Sequence, residues 1–413
     1  MAHTSDKIPE HVPSDLVIDF DPVAGPEVRN FPPTSIVGFR DRYPVFYTPY
    51  GGGYWVLTRY ADIKWAFESP EIFPQQGTLN ESWSGRRHIP LRLNPPEHHM
   101  YRKMLMGLFS PRRLKAMEPM LRQSARDRID EFKSRGECDL MQDYAMALPA
   151  ATFCALVGVP LSDFETFHKL GKGLVYEGER ITREEGPEAG RRYRAELMNR
   201  IESIVTDLIP AKRANQGDDV ISYLLNATVN DRPVTDDEIA NIVTLLFWAG
   251  TDSTAGMIGY VLSYLARHPD LRKRLVTDTS LIPKAADELI RYHAFHHIVR
   301  DVAKDVEIHG VTIKRGDRIL LHTGGANHDP EAFADPETVD ISRKVGGHVT
   351  FGAGIHRCLG APVARLEVQV AIDELHAVIP DYRIADDRQI EYQFGQQKIT
   401  TKHVPVVFNP VPA

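Results

Sequence analysis

One decamer, Phe351-Gly352-Ala353-Gly354-Ile355-His356-Arg357-Cys358-Leu359-Gly360, limits what this chain can become more than any other stretch in it. It presents a single thiol on a glycine-softened loop, just ahead of a strong helical pattern from Leu359 to Val378. Pro362 falls in the first helical turn, where a missing N–H costs nothing. Backbone N–H groups and the positive helix end then aim at the sulfur and favour its thiolate form. The glycines permit positive φ and let backbone approach a flat ligand closely. A thiolate so placed is a durable ligand for iron.

Other uses of Cys358 fit less well. A buried free cysteine acting as a small hydrophobe is the ordinary alternative. A disulfide is disfavoured, because Cys138, Cys154 and Cys358 make an odd number with no secretory signal, which suggests a reducing compartment. Zinc calls for paired ligands such as C-x-x-C, and the chain has none. A dinucleotide fingerprint requires a glycine where Arg357 stands, and a strand–loop–helix context.

A long helix is the second informative feature. Thr235-Asp236-Asp237-Glu238 reads as a capping box, apolar residues run on to Ala266, and His268-Pro269 stops them. Such a helix spans roughly 50 Å, enough to cross a whole domain. Its centre, Ala249-Gly250-Thr251-Asp252-Ser253-Thr254, is polar. Burying a carboxylate and three hydroxyls is costly unless they are paired or near water. Hydroxyls that bond back to the i−4 carbonyl predict a local groove or π-bulge here.

The rest of the chain reads as mostly helix. A hairpin is expected over Tyr43 to Thr58 around Gly51-Gly52-Gly53, with helices near Arg59–Glu68, Pro96–Phe109, Pro111–Ser134, Leu140–Val157, Leu161–Leu170, Gly186–Asn215 and Asp218–Ala227. Short β-branched runs near Val302–Ile313 and Val404–Phe408 suggest small sheets. The 413 residues, 42% hydrophobic and 25% charged, suit a large core. Without a linker or repeat they read as one domain over 1–413, with a Pro-rich arm from Ile8 to Pro33 laid on its body. A net charge of -7 argues against a general nucleic-acid binder. No apolar run of membrane-spanning length and no signal-peptide pattern stand out, so a cytoplasmic monomer is expected.

The decamer matches F-G-x-G-x-H-x-C-x-G and resembles the haem-binding loop of the cytochrome P450 family. Ala249 to Thr254 is similar to the A-G-x-D/E-T-T signature of that family's oxygen-binding helix. Glu288-Leu289-Ile290-Arg291 is similar to its E-x-x-R, with Asp335-Pro336-Glu337 and Arg343 downstream. Asn94-Pro95-Pro96-Glu97-His98-His99-Met100-Tyr101-Arg102 resembles its D-P-P-E-H-x-x-x-R helix start. His11-Val12-Pro13, Phe20-Asp21 and the Arg291-to-Arg300 spacing look most like the bacterial, soluble camphor-hydroxylase branch.

The resemblance implies a mainly α fold, with a helical body, a long central helix and a small β-rich region. It implies haem b with Cys358 as axial metal ligand, and His98, Arg102, Arg300 and His356 neutralising the two propionates. Asp252, Ser253 and Thr254 become a proton relay to bound dioxygen, Ser253 standing where the family has threonine. Glu288, Arg291 and Arg343 become a structural cluster. Trp248, Ala249, Phe295 and His297 are the expected substrate contacts, and the segment Trp83 to Leu93 is expected to cover the pocket. Arg86-Arg87-His88 falls where the camphor-type branch places an aromatic donor, so camphor itself fits poorly. Adjacent His296 and His297, with His293, do not share a helix face and are not read as a metal site.

The implied activity is monooxygenation of a small hydrophobic substrate, a terpenoid or a norisoprenoid such as an ionone. Electrons would come from a separate 2Fe–2S ferredoxin with its NAD(P)H-dependent reductase, since three cysteines cannot build a four-cysteine cluster. Arg102, Arg112, Arg113, Lys344 and Arg357 are candidate docking cations. Two other readings keep Cys358: a non-catalytic haem-thiolate sensor or carrier, and a peroxygenase driven by hydrogen peroxide.

Overall fold

Val45–Thr48 and Tyr54–Leu57 pair antiparallel, and Tyr54–Leu57 continues in parallel with Arg318–His322, which pairs antiparallel with His297–Asp301. The tight turn needs glycine: Gly53 has φ +82, and a Cβ there would lie 2.0 Å from the Tyr47 hydroxyl. In this computed structural model the described residues are 8–22, 36–75, 88–159, 163–395 and 398–412.

Side chains alternate across this sheet with a period of two. Trp55, Leu57, Ile319, Leu321 and Ile298 enter one apolar cluster, while Tyr54, Val56, Leu320 and Val299 enter another. Trp55 donates its indole N–H to Asp317 Oδ2 at 2.9 Å, so the large buried ring keeps its polar atom satisfied. The sheet, the hairpin of Val306–Ile308 with Val311–Ile313, and helices Tyr60–Glu68 and Thr323–Asn327 belong to one compact unit. That unit is built from Met1–Leu79, Pro283–Cys358 and Tyr392–Thr400.

The second unit comprises Asn80–Ile282, Leu359–Glu391 and Thr401–Ala413, and it is mainly helical. Its centre is the helix Asp236–Arg267. The capping box forms as the sequence suggests: Thr235 N–H donates to Glu238 Oε2 at 2.8 Å, and Glu238 N–H to Thr235 Oγ1 at 3.3 Å. Helices Ala147–Val157, Pro187–Ala214 and Ala361–Val378 pack against it, and Pro111–Phe132 lies against the first and last of these. Phe247 meets Phe153 with ring centroids 4.8 Å apart, a favourable edge-to-face pair. Arg122 holds Pro111–Phe132 to Ala361–Val378 through Asp373 and Glu374, both at 2.7 Å. Tyr382–Ile384, Pro405–Phe408 and Glu137–Asp139 form a small sheet in this unit.

Three expectations need adjustment. The long helix stays α through residues 249–254, because Thr251 and Ser253 donate to the carbonyls of Phe247 and Ala249, both at 2.7 Å, without parting the ladder. The π turns fall instead at Leu140–Ala145 and Gly173–Glu177, and Gly178–Glu185 adds a helix that its polarity conceals. Among the described residues one helical stretch, Leu140–Val157, is long and apolar enough to cross a membrane, and 78% of it is buried within the protein. Of the expected arm, residues 23–33 lie outside the described residues, as do 161–162 of the expected Leu161–Leu170 helix.

Candidate active site

The cysteine loop is held by its own backbone. Cys358 N–H donates to Phe351 O at 2.9 Å, and Arg357 N–H to Gly354 O at 3.2 Å. Gly354 has φ +64, and a Cβ there would come within 2.4 Å of Phe67 O, so glycine lets the loop lie flat on helix Tyr60–Glu68. Cys358 is exposed, and helix Ala361–Val378 begins three residues later with proline in its first turn. Cys138 and Cys154 are buried. Burial pushes the Cys154 thiol up to about 12, and the Cys138 thiol higher still. Of the three, Cys358 alone is placed to offer a thiolate to a bound metal.

Arg300 is a buried cation, only 6% exposed. Its Nη1 donates to Val299 O at 3.0 Å and its guanidinium lies 5.7 Å from the Phe67 ring centre. Among the described residues no carboxylate pairs with it, and burial alone lowers it to about 10. A cation kept charged in such a place calls for an anionic partner. Strand alternation sets Arg300 on the Ile298 face, with Phe67 and Ile319 in the same apolar cluster. By that alternation His296 shares the Arg300 side, whereas His297 turns the other way. His297 is 2% exposed and lies beside His322, ring centroids 5.7 Å apart. Phe295 is buried, with its carbonyl bound by Ile399 N–H at 3.3 Å.

At the centre of the otherwise buried long helix, Ala249 and Gly250 are exposed, while Trp248, Asp252 and Ser253 are half-buried. A Cβ at Gly250 would meet nothing within 4 Å. Thr251 and Thr254 are buried. The Thr254 hydroxyl faces Glu367, a group the sequence reading missed. Glu367 is 3% exposed and accepts the Thr152 hydroxyl at 2.6 Å. Burial, against those two hydroxyl bonds, pushes its carboxyl up to about 8. The available signal was a glutamate at helical spacing between the apolar positions Val363 and Val370.

On helix Glu97–Leu105, His98 is buried, and burial followed by the Arg102 charge lowers it to about 4. Arg102 is half-buried one turn further on, and His356 is half-buried in the turn Gly354–His356. Glu288 receives Arg291 Nε at 2.9 Å and Nη2 at 2.8 Å, and Arg343 Nε at 3.2 Å. Arg291 also reaches the carbonyls of Asn327 and Pro336, so the cluster braces chain segments. Arg113 is taken by Asp218 at 2.8 Å and by the face of Tyr223, whereas Arg112 is exposed with no ion pair among the described residues. Residues 83–87 of the expected pocket cover lie outside the described residues, Trp83, Arg86 and Arg87 among them.

The donor set suits an iron porphyrin: one accessible thiol on a flattened glycine loop, and a buried arginine with no carboxylate partner among the described residues. Within the long helix, Ala249 and Gly250 offer little side-chain bulk on an exposed stretch, which leaves room for a small ligand beside it.

Comparison with known proteins agrees. The sequence model of the family "Cytochrome P450" matches residues 183–406. A probable cytochrome P450 127A1 of Sinorhizobium fredii is 32% identical over 391 residues, covering 92% of each chain. Solved structures of cytochrome P450 CYP101C1 and of CYP101J2 superpose with TM-scores of 0.88 and 0.85, at 31% and 30% identity, covering 98% of this chain and 100% of theirs. The chain belongs to the cytochrome P450 family, as a bacterial monooxygenase that uses haem b with an axial cysteine thiolate.

Proposed function

We propose that this monooxygenase hydroxylates a compact terpenoid or norisoprenoid, ionone-like or camphor-like, in the cytoplasm, with residues 1–413 acting as one catalytic domain. Its electrons come from a 2Fe–2S ferredoxin and that protein's NAD(P)H-dependent reductase. The observation that carries the reading is Cys358, exposed on a glycine-flattened loop while the other two thiols are buried.

When bound, the haem supplies dioxygen activation and the oxidising equivalent that opens a C–H bond. The protein's residues do the rest. Cys358 would hold the metal through its sulfur, and the helix start that follows it favours the thiolate. Arg300 neutralises a propionate, with Arg102, His98 and His356 as further partners. Asp252 and Ser253 would hold and pass on the protons that the reaction consumes. Ser253 keeps its hydroxyl on the half-exposed side of the helix, anchored on Ala249 O at 2.7 Å. Thr254 is turned to Glu367 and serves packing more than transfer. Trp248 and Ala249 line the substrate side, and the open stretch at Ala249 and Gly250 suits a small, apolar skeleton.

The ferredoxin reading is supported by exposed cations on an acidic chain, with Arg112 and Lys344 as the contacts least engaged elsewhere. The test is turnover of ionone by the reconstituted system. Hydroxylated product with ferredoxin, reductase and NADH is expected. Product from hydrogen peroxide alone at the same rate identifies a peroxygenase, and haem binding without either product identifies a carrier or sensor.

A further inference from the structure

Helix Ile282–Tyr292 carries two buried carboxylates side by side, and they face different partners. Glu288 takes Arg291 and Arg343. Asp287, 4% exposed, turns instead to the chain that leads into the cysteine loop. Its Oδ2 accepts Gly346 N–H at 2.7 Å, and its Oδ1 accepts His348 Nε2–H at 3.3 Å. The His348 side chain is 2% exposed. Its ring lies against Phe351, with centroids 5.8 Å apart and planes at 45°. Phe351 O in turn receives Cys358 N–H at 2.9 Å. A file of contacts thus runs from Asp287 through His348 and Phe351 to the backbone of the metal ligand.

The chain just after His348 is anchored by other groups. Val349 N–H donates to Asn327 Oδ1 at 2.9 Å, and the Thr350 hydroxyl donates to Ile290 O at 3.0 Å. Asp287 grips the chain just before, where Gly346 and Gly347 have φ of +87 and +83 and no side chain fixes its course. A carboxylate buried beside an imidazole is a poor source of stability alone, since apolar residues of similar volume often serve as well or better. What the pair does provide is a fixed direction for the ring. We infer that Asp287 and His348 are positioning residues for the Cys358 sulfur. Asp287 sets the His348 ring, the ring sets Phe351, and Phe351 O holds the peptide N–H of Cys358. Groups that orient a metal ligand from behind tune the metal as well as the ligand. A sulfur held firmly donates more charge, which favours the oxidised metal.

The test is the midpoint potential of the haem-loaded enzyme, measured by redox titration, together with the iron–sulfur stretching band in its Raman spectrum. His348→Leu removes the hydrogen bond to Asp287. Its reduction equilibrium constant should rise about threefold, on the order of 28 mV at about 59 mV per tenfold for one electron. Its stretching band should move to lower frequency. His348→Gln can still donate to Asp287 and should bring both readings most of the way back. Wild-type readings in His348→Leu, even at a lower Tm, overturn the inference and mark the pair as structural only. So does a His348→Gln no closer to wild type than His348→Leu, because the bond to Asp287 then sets nothing. Should His348→Leu retain no haem, Asp287→Asn decides, and an unshifted stretching band there overturns the inference as well.

Discussion

The hydroxyl of Thr152 donates to Glu367 Oε1 at 2.6 Å, joining two helices through a carboxyl that water barely reaches. Burial makes the charged form costly, and the two threonine hydroxyls beside it only partly offset this, so the group titrates near 8. The native protein therefore keeps a proton that the unfolded chain, with an ordinary glutamate value of 4.5, gives up.

That difference sets a pH dependence of stability. The folded value is raised, so stability is greatest below pH 4.5 on this group's account and declines as pH climbs toward 8. Glu367→Gln keeps the shape and hydrogen bonding but cannot ionise. Between pH 5 and pH 8 the Tm of wild type should fall relative to that variant. Parallel Tm profiles would contradict a protonated Glu367.

Ser253 and Thr254 should separate cleanly. Ser253→Ala removes a hydroxyl from the half-exposed side, and hydrogen peroxide released per NADH consumed should rise several-fold at nearly unchanged Tm. Thr254→Val removes a buried bond to Glu367 and should cost about 1 kcal/mol of stability with coupling retained. Leakage from Thr254→Val alone would transfer the relay to Thr254.

Arg300 should bind haem at the expense of the apoprotein. Its buried charge has no carboxylate among the described residues, so Arg300→Met should lower haem retained per chain. The haem-free variant should melt no lower than haem-free wild type, because an uncompensated buried cation has been removed. A destabilised apo-variant with full haem content would show that Arg300 serves packing instead.

Docking should depend on which arginine is available. Arg112→Glu should slow reduction by an acidic ferredoxin, and rising salt should slow the wild-type reaction. Arg113→Glu should act chiefly through stability, since its partner Asp218 sits 2.8 Å away. Reduction rates indifferent to salt and to Arg112 would rule out electrostatic docking there.

Local chemistry was legible in the sequence, and register was not. The Thr235–Glu238 capping box, the Glu288–Arg291 pair and the glycines before Cys358 each close within a few residues. Their geometry follows from spacing alone. The side of strand His297–Asp301 that carries Arg300 depends on pairing with Arg318–His322, a partner some twenty residues on, and the choice between His296 and His297 goes with it. Glu367 meets Thr152 across 215 residues, so its glutamate reads as surface until the two helices are packed. The hydroxyls of the long helix were expected to part its ladder, yet Thr251 and Ser253 simply share carbonyls already in use, and Thr254 turns to Glu367.

The central claim is that the metal ligand is the sulfur at 358, and the visible spectrum of the carbon monoxide complex of the reduced protein tests it most directly. Wild type, Cys138→Ser and Cys154→Ser should all show the red-shifted band of a thiolate-bound haem, and Cys358→Ser should lose it. A thiolate spectrum that survives in Cys358→Ser, or a wild-type protein that takes up no haem, would contradict the account.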